Sequence, residues 1–231
     1  MVVLPIFALP NSILFPGVYV PLHIFEDRFK AMLKNIEREG TEMALSYAPE
    51  LQAGKNFPSM ICGAGIVRII KRYDNGATDI LVFGTKRVKF NKYVQELPYL
   101  IGEGEILQLD REMPKTTEQQ LLTELREMLI NWIFMNFDES SRAISFFKNV
   151  EDLEPICNFV AYYFITDYEK KQKLLEENNL EVKAQSIWKF LKDMDSMSKG
   201  PDNKMIFFPG TGGGPGGGSG GGSTDDGESI N

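Results

Sequence analysis

Leu4-Pro5-Ile6-Phe7-Ala8-Leu9-Pro10, Leu14-Phe15-Pro16-Gly17 and Pro21-Leu22-His23-Ile24-Phe25-Glu26 make up most of the segment from Leu4 to Phe29. Pro5, Pro10, Pro16 and Pro21 punctuate its short apolar runs. Proline fixes φ and carries no N–H, so it suits edge strands, strand starts and turns rather than helix interiors. The segment therefore predicts short extended pieces that bend repeatedly. Phe25, Phe29, Met32, Leu33 and Ile36 then recur at helical spacing, and Gly40 stops the helix.

Working outward, Glu42–Tyr47 reads as a strand. Met60–Arg72 is apolar and rich in β-branched residues, and Gly63 and Gly65 suggest a bulge or sharp bend within it. Asn75-Gly76 is the strongest hairpin signal, because both residues tolerate positive φ. Thr78–Phe83 returns from that turn, Arg87–Val94 forms a further strand, and Leu100–Leu109 another, with Gly102 and Gly104 between Ile101 and Ile106. Short strands, glycine bends and one enclosed helix predict a small closed or half-closed β-barrel.

The pattern changes at Pro114. Thr117-x-x-Gln120 fits a capping box, and Leu121, Leu125, Met128, Leu129, Trp132 and Ile133 form one apolar helical stripe. Asp152 fits the cap of a second helix with Pro155 in its first turn and Leu153, Ile156, Val160 and Tyr163 on its core face. A third helix carries Leu174 and Leu175 and ends near Asn178-Asn179. A fourth aligns Ala184, Ile187, Trp188, Leu191 and Met194. Together they predict a bundle beside the barrel. From Gly200 the chain has no core-forming pattern: ten of the fourteen residues 210–223 are glycine, and Thr224–Asn231 is acidic and polar. This reads as a flexible tail, with Met205-Ile206-Phe207-Phe208 as an apolar interruption before it.

The proline-rich opening resembles the start of the Lon protease N-terminal domain, the LON substrate-binding family, in Leu9-Pro10, Leu14-Phe15-Pro16-Gly17, Pro21-Leu22-His23-Ile24-Phe25-Glu26 and Arg28. The block from Cys62 to Val67, through Asp74-Asn75-Gly76, to Val82–Val88 resembles the family's paired central strands. Asp152 to Leu191 resembles its helical C-terminal half. The resemblance spans about residues 2–195. It implies a PUA-like barrel and a substrate-recruiting role. Full Lon proteases carry their serine–lysine dyad in a separate domain after an ATPase domain. No corresponding motif is visible here, so the resemblance carries over neither proteolysis nor ATP use.

Composition bounds the remaining possibilities. With 43% hydrophobic and 25% charged residues, the chain can bury a core and stay soluble. No apolar run approaches the roughly 20 residues that span a bilayer, and no secretory signal is visible. Cys62 and Cys157 are the only cysteines. They are far apart and lack a CxxC partner, so they read as ordinary thiols in a reducing cytoplasm rather than a metal site or disulfide. The net charge of −7 divides into +1 over residues 1–108, −5 over 109–199 and −3 over 200–231. An acidic total opposes a broad nucleic-acid footprint.

The chemistry-bearing motifs are few. The Gly-rich tail lacks the lysine and following helix of a phosphate loop, and Gly63-x-Gly65 lacks a third glycine at a strand-to-helix turn. His23, the sole histidine, lies in the proline-rich motif and reads as structural rather than as a general base. Glu103/Glu105 and Glu176/Glu177 read as solvated pairs. Lys71, Arg72, Lys86, Arg87, Lys89 and Lys92, interleaved with Phe90 and Tyr93, form the rival feature. PUA-like barrels in other proteins bind RNA, and these residues are the candidates if this one does. Their plainer reading is edge-strand gatekeeping.

The expectation is an α+β chain. A PUA-like barrel occupies residues 1–110, a helical bundle 111–199 and a disordered tail 200–231. The resemblance implies a stand-alone, non-catalytic protein, and the cysteine usage adds a cytoplasmic setting without a metal or other cofactor. The chain would bind unfolded polypeptide or a protein partner, with service to a protease in trans as one use and with no membrane partner. Phe15, Tyr19, Phe25 and Tyr47 are the peptide-binding candidates, and RNA binding is the alternative.

Overall fold

The computed structural model describes residues 1–49, 58–136 and 141–198. Strands β1 (Val2–Leu9) and β2 (Tyr19–Ile24) flank the proline turns. Helix α1 (Asp27–Glu39) follows, closed by Gly40 at φ 63°, whose N–H bonds the Ile36 carbonyl. Then come β3 (Met43–Tyr47), β4 (Ile61–Arg72), β5 (Thr78–Gln95) and β6 (Leu100–Leu107). The helices α2 (Lys115–Asn136), α3 (Ser141–Lys148), α4 (Leu153–Tyr163), α5 (Tyr168–Glu176) and α6 (Leu180–Ser198) complete the described chain. The Gly-rich tail and the apolar residues Met205 to Phe208 lie outside the described residues.

The six strands form one mixed sheet in the order β2-β5-β4-β3-β1-β6, with β1 and β3 parallel and the other pairs antiparallel. β6 also pairs with β5, so the path β5–β4–β3–β1–β6 returns to its start, and β2 hangs from β5 as an edge. The two stretches Thr78–Phe83 and Arg87–Val94 are one continuous 18-residue strand. Its first half pairs with β2 and its second half with β6, while β4 runs beside both. Gly84, which looked like a break, lets the Phe15 backbone pass: a Cβ there would lie 2.1 Å from the Phe15 carbonyl oxygen. Gly63 serves the same crossing, since its Cβ would lie 1.9 Å from the Leu14 oxygen.

The Asn75-Gly76 hairpin is present. Gly76 donates to the Tyr73 carbonyl at 2.9 Å and sits at φ 78°. Thr117 lies within the first turn of α2, which starts directly after Pro114, so it does not cap that helix. Asp152 does cap α4, accepting from the Glu154 N–H. Helix α3 is an element that the expected bundle does not include; it spans about two turns and buries Phe147.

Apolar burial explains the arrangement. Phe29, Met32, Leu33 and Ile36 of α1 pack with Phe7, Val20, Ile80 and Val82, and Phe7 meets Phe29 edge-on at 4.1 Å between centroids. Leu4, Ile6, Ala44, Cys62, Ala64, Val88 and Phe90 form a smaller core cluster of the strands. The largest core joins Ile13, Phe15, Val18 and Tyr47 to Leu125, Leu129, Ile156, Val160 and Ile187 of the helices. Strand-bearing and helical parts thus share one interior, although all strands precede α2.

Candidate functional site

The four aromatic candidates separate into two pairs. Phe15 has no exposed surface. It follows the turn over β4 and β5, with Lys183 Nζ 5.6 Å from its ring. Tyr47 is also buried and stacks on Tyr168 at 6.3 Å. Burial raises its hydroxyl pKa, helped by Glu169 and Asp167. Neither residue presents a surface to a partner: the proline-rich turn that carries Phe15 lies beneath α4, and Tyr47, at the end of β3, is covered in the same core by Tyr168. Asn158 Nδ2 of α4 donates to the Pro16 carbonyl at 3.1 Å. Tyr19 is 52% exposed and Phe25 62% exposed.

Register shows what surrounds Tyr19. Directly opposed residues of neighbouring antiparallel strands share a face. Tyr19–Phe83–Ile66, Pro21–Leu81–Arg68 and His23–Asp79–Lys71 therefore form three rows on the outward side of β2, β5 and β4. Val20, Ile80 and Val82 alternate into the core. The Tyr19 and Phe83 rings lie 4.7 Å apart. His23 Nδ1 and Asp79 Oδ1 are 2.6 Å apart, and the Tyr73 hydroxyl donates to Asp79 Oδ2 at 2.6 Å. These bonds, His23's foremost, hold the Asp79 carboxyl below the usual carboxylate range. His23 also stacks on Phe25 at 6.0 Å, and Lys71 Nζ sits 4.5 Å from the Tyr73 ring centroid.

One end of this face opens into a cleft of about 460 Å³. Tyr19, Pro21 and Leu81 line it on the strand side, and Tyr162 and Tyr163 line it from the end of α4. Burial pushes the Tyr162 hydroxyl pKa up to about 12. The cleft and outward face share residues, so together they offer a continuous aromatic and aliphatic surface with a few polar groups.

The basic candidates do not converge. Lys71 opposes Asp79, whereas Lys86 lies seven residues farther along β5, about 23 Å at roughly 3.3 Å per residue. Arg72 pairs with Glu37, Lys86 with Glu42, and Lys92 with Glu103 at 3.2 Å. Lys89 is exposed. Arg87 is 2% exposed and donates to the carbonyls of Leu175, Glu177 and Gln108 and to Asn178 Oδ1, at 2.8–3.3 Å. Burial lowers its pKa against the opposing pull of Glu154 and Glu177. It is a tie between sheet and helices, not a phosphate contact.

A second cleft, about 500 Å³, lies at that junction and is lined by Lys86, Arg87, Arg111, Asp152, Glu154 and Asn158 among others. Arg111 bridges Asp152 and Glu154 at 3.0 and 2.7 Å. Behind it, Lys183 is fully buried and donates to Asn158 Oδ1 at 2.9 Å. Burial, then Arg87, lowers its pKa to about 8. Lys183 precedes Ile187 and Leu191 by four and eight residues, so helical spacing puts it on the core stripe, one residue before the stripe expected from Ala184. Ile66, Arg68 and Ile70, exposed at every second position of β4, are not among the expected site residues, and their alternation is the signal that marks them.

Cys62 and Cys157 are free and buried, and burial pushes both thiols up to about 12. Among the described residues, no His/Cys/Asp/Glu group could hold a metal ion, and no helix is long and apolar enough to cross a membrane.

Residues 3–193 match the family model of the ATP-dependent protease La (LON) substrate-binding domain. The chain belongs to the LON substrate-binding domain family. A Lon protease of Flavobacterium johnsoniae is 26% identical over 195 residues, covering 81% of this chain and 24% of that protein. The Lon protease of Karelsulcia muelleri is 33% identical over 123 residues, 51% of this chain and 14% of its own. The chain thus spans about a quarter or less of these relatives' length. The N-terminal domain of Mycobacterium avium complex Lon protease superposes with a TM-score of 0.68 at 17% identity, over 83% of this chain and 98% of that domain. A Lon N-terminal domain protein from Xanthomonas campestris gives 0.58 at 19%, over 82% and 99%. These likenesses establish an α+β, Lon N-domain-like fold.

Proposed function

We propose that this LON-family chain binds polypeptide segments without acting on them chemically. Its occupants would be unfolded chains or an apolar stretch of a protein partner, and delivery to a protease in trans is a use that this binding would serve. The observation that carries the reading is the exposed Tyr19 beside a cleft walled by Leu81, Tyr162 and Tyr163. Such a surface gains free energy when an apolar segment displaces its water. Family membership supports the polypeptide class of ligand. The strand path that closes on β5 supports the PUA-like barrel reading, but the scattered and paired basic residues remove the main support for RNA.

Fluorescence anisotropy with a labelled, permanently unfolded model protein tests the proposal. Binding should weaken at least fivefold in Tyr19→Ala combined with Phe25→Ala, with folding intact. Equal binding by the double variant would overturn this placement of the site.

A further inference from the structure

The outward sheet face has a charge pattern that general apolar binding leaves unused. Ile66 and Ile70 are 56% and 58% exposed, and exposed Arg68 stands between them on β4. Among the described residues, no carboxylate lies within ion-pair distance of Arg68 or Lys71, whereas Arg72 pairs with Glu37; Lys71 stands opposite Asp79 and contributes to the lowering of its pKa, and Arg68 stands opposite Leu81. Asp79, the carboxylate in the Lys71 row, is already bound by His23 and Tyr73. The face therefore presents two cations set among apolar side chains, with its one central carboxylate engaged.

We propose that this face selects extended polypeptide segments in which acidic residues alternate with apolar ones, a specificity that rests on the polypeptide-binding reading above. In an extended chain, every second side chain points the same way, at a spacing of roughly 6.6–7 Å. That matches the step from Ile66 to Arg68 on β4, and the register shift between Ile69 and Lys71 then leaves Ile70 and Lys71 exposed in succession. A segment lying over this strand can thus set an apolar side chain against Ile66 and an acidic one against Arg68, with Ile70 and Lys71 offering one further apolar and one further cationic contact. Tyr19 and the tyrosine-walled cleft take further apolar residues. A basic segment would meet Arg68 and Lys71 as like charges. The selectivity is local, because the chain as a whole carries −7, and it should fade with salt as exposed charges are screened.

Three labelled peptides of equal length and equal apolar content test this, with Asp, Ser or Lys at the alternate positions, titrated against the full chain. At low salt the Asp peptide should bind about tenfold more tightly than the Lys peptide, with Ser between. The gap should narrow at high salt. Arg68→Glu with Lys71→Gln, which avoids setting a second carboxylate opposite Asp79, should reverse the order with the fold intact, and Ile70→Ser should weaken all three. Equal binding of the three peptides would overturn the acidic preference and leave polypeptide binding standing. Failure of all three to bind would overturn both. Single-stranded RNA bound more tightly than any peptide, and lost in the double variant, would also overturn the inference.

Discussion

Arg68 and Arg87 lie on neighbouring strands of one sheet, yet the first is exposed without an ion pair among the described residues and the second is buried under the helices. Arg87 meets four oxygen acceptors where the connection between α5 and α6 crosses the sheet. A guanidinium has five donors in a planar fork, so several carbonyls can solvate it in place of water. Arg68 is exposed and stands opposite Leu81 on the outward face. The junction spends its polar groups on holding the strand-bearing and helical parts together, while the outward face engages Asp79 with His23 and Tyr73 and leaves Arg68 exposed. Structural and binding roles thus separate by region rather than by residue type.

Breaking the junction should have the largest effect. Arg87→Ala leaves buried carbonyls without donors and should destabilise the chain by roughly 3–5 kcal/mol in urea unfolding. A loss below about 1 kcal/mol would show that the junction is held chiefly by apolar packing.

Lys183 sharpens the same contrast through pH. Its folded pKa of about 8 lies below its ordinary 10.5, so the folded state favours the neutral amine. Unfolding takes up protons between these values, so stability rises as pH rises from about 8 to 10.5, and the penalty is fully present below pH 8. Removing that penalty is worth about 3 kcal/mol, offset in part by the acceptor left on Asn158. Lys183→Met should therefore gain stability relative to the native chain as pH falls from 10.5 to 8. Parallel stability curves for the two proteins would contradict this.

Smaller effects are expected away from the junction. Gly76→Val forces a β-branched residue to φ 78° and should cost about 1–3 kcal/mol by thermal or chemical unfolding. Tyr19→Ala, which loses the Phe83 ring contact, should cost about 0.5–1.5 kcal/mol, and Arg68→Glu should change stability by no more than about 0.5 kcal/mol, because Arg68 is exposed on the outward face. A larger loss would place those residues in the folding core.

Much of this fold was legible because local chemistry and tertiary packing agree. The Asp152 cap, the Gly40 stop, the Gly76 turn and the stripe through Leu125, Leu129 and Ile133 each follow from short-range rules. The continuity of β5 through Gly84 was hidden, since that glycine answers to Phe15, nearly seventy residues earlier in the chain. Site residues were less legible for the same reason. Phe15 and Tyr19 belong to one motif four residues apart, but only the crossing of β4 and β5 and the cover of α4 decide which is buried. Likewise, Lys71 and Lys86 looked adjacent on paired strands until register set them far apart along β5.

Hydrogen–deuterium exchange of the chain, alone and saturated with an unfolded polypeptide, maps the binding surface onto the fold. Added protection is expected in β2 and around Tyr162 and Tyr163, with exchange at Lys86 to Lys89 unchanged. Protection confined to Lys86–Lys89 and the Arg111 cleft, with β2 unaffected, would contradict that placement of the surface.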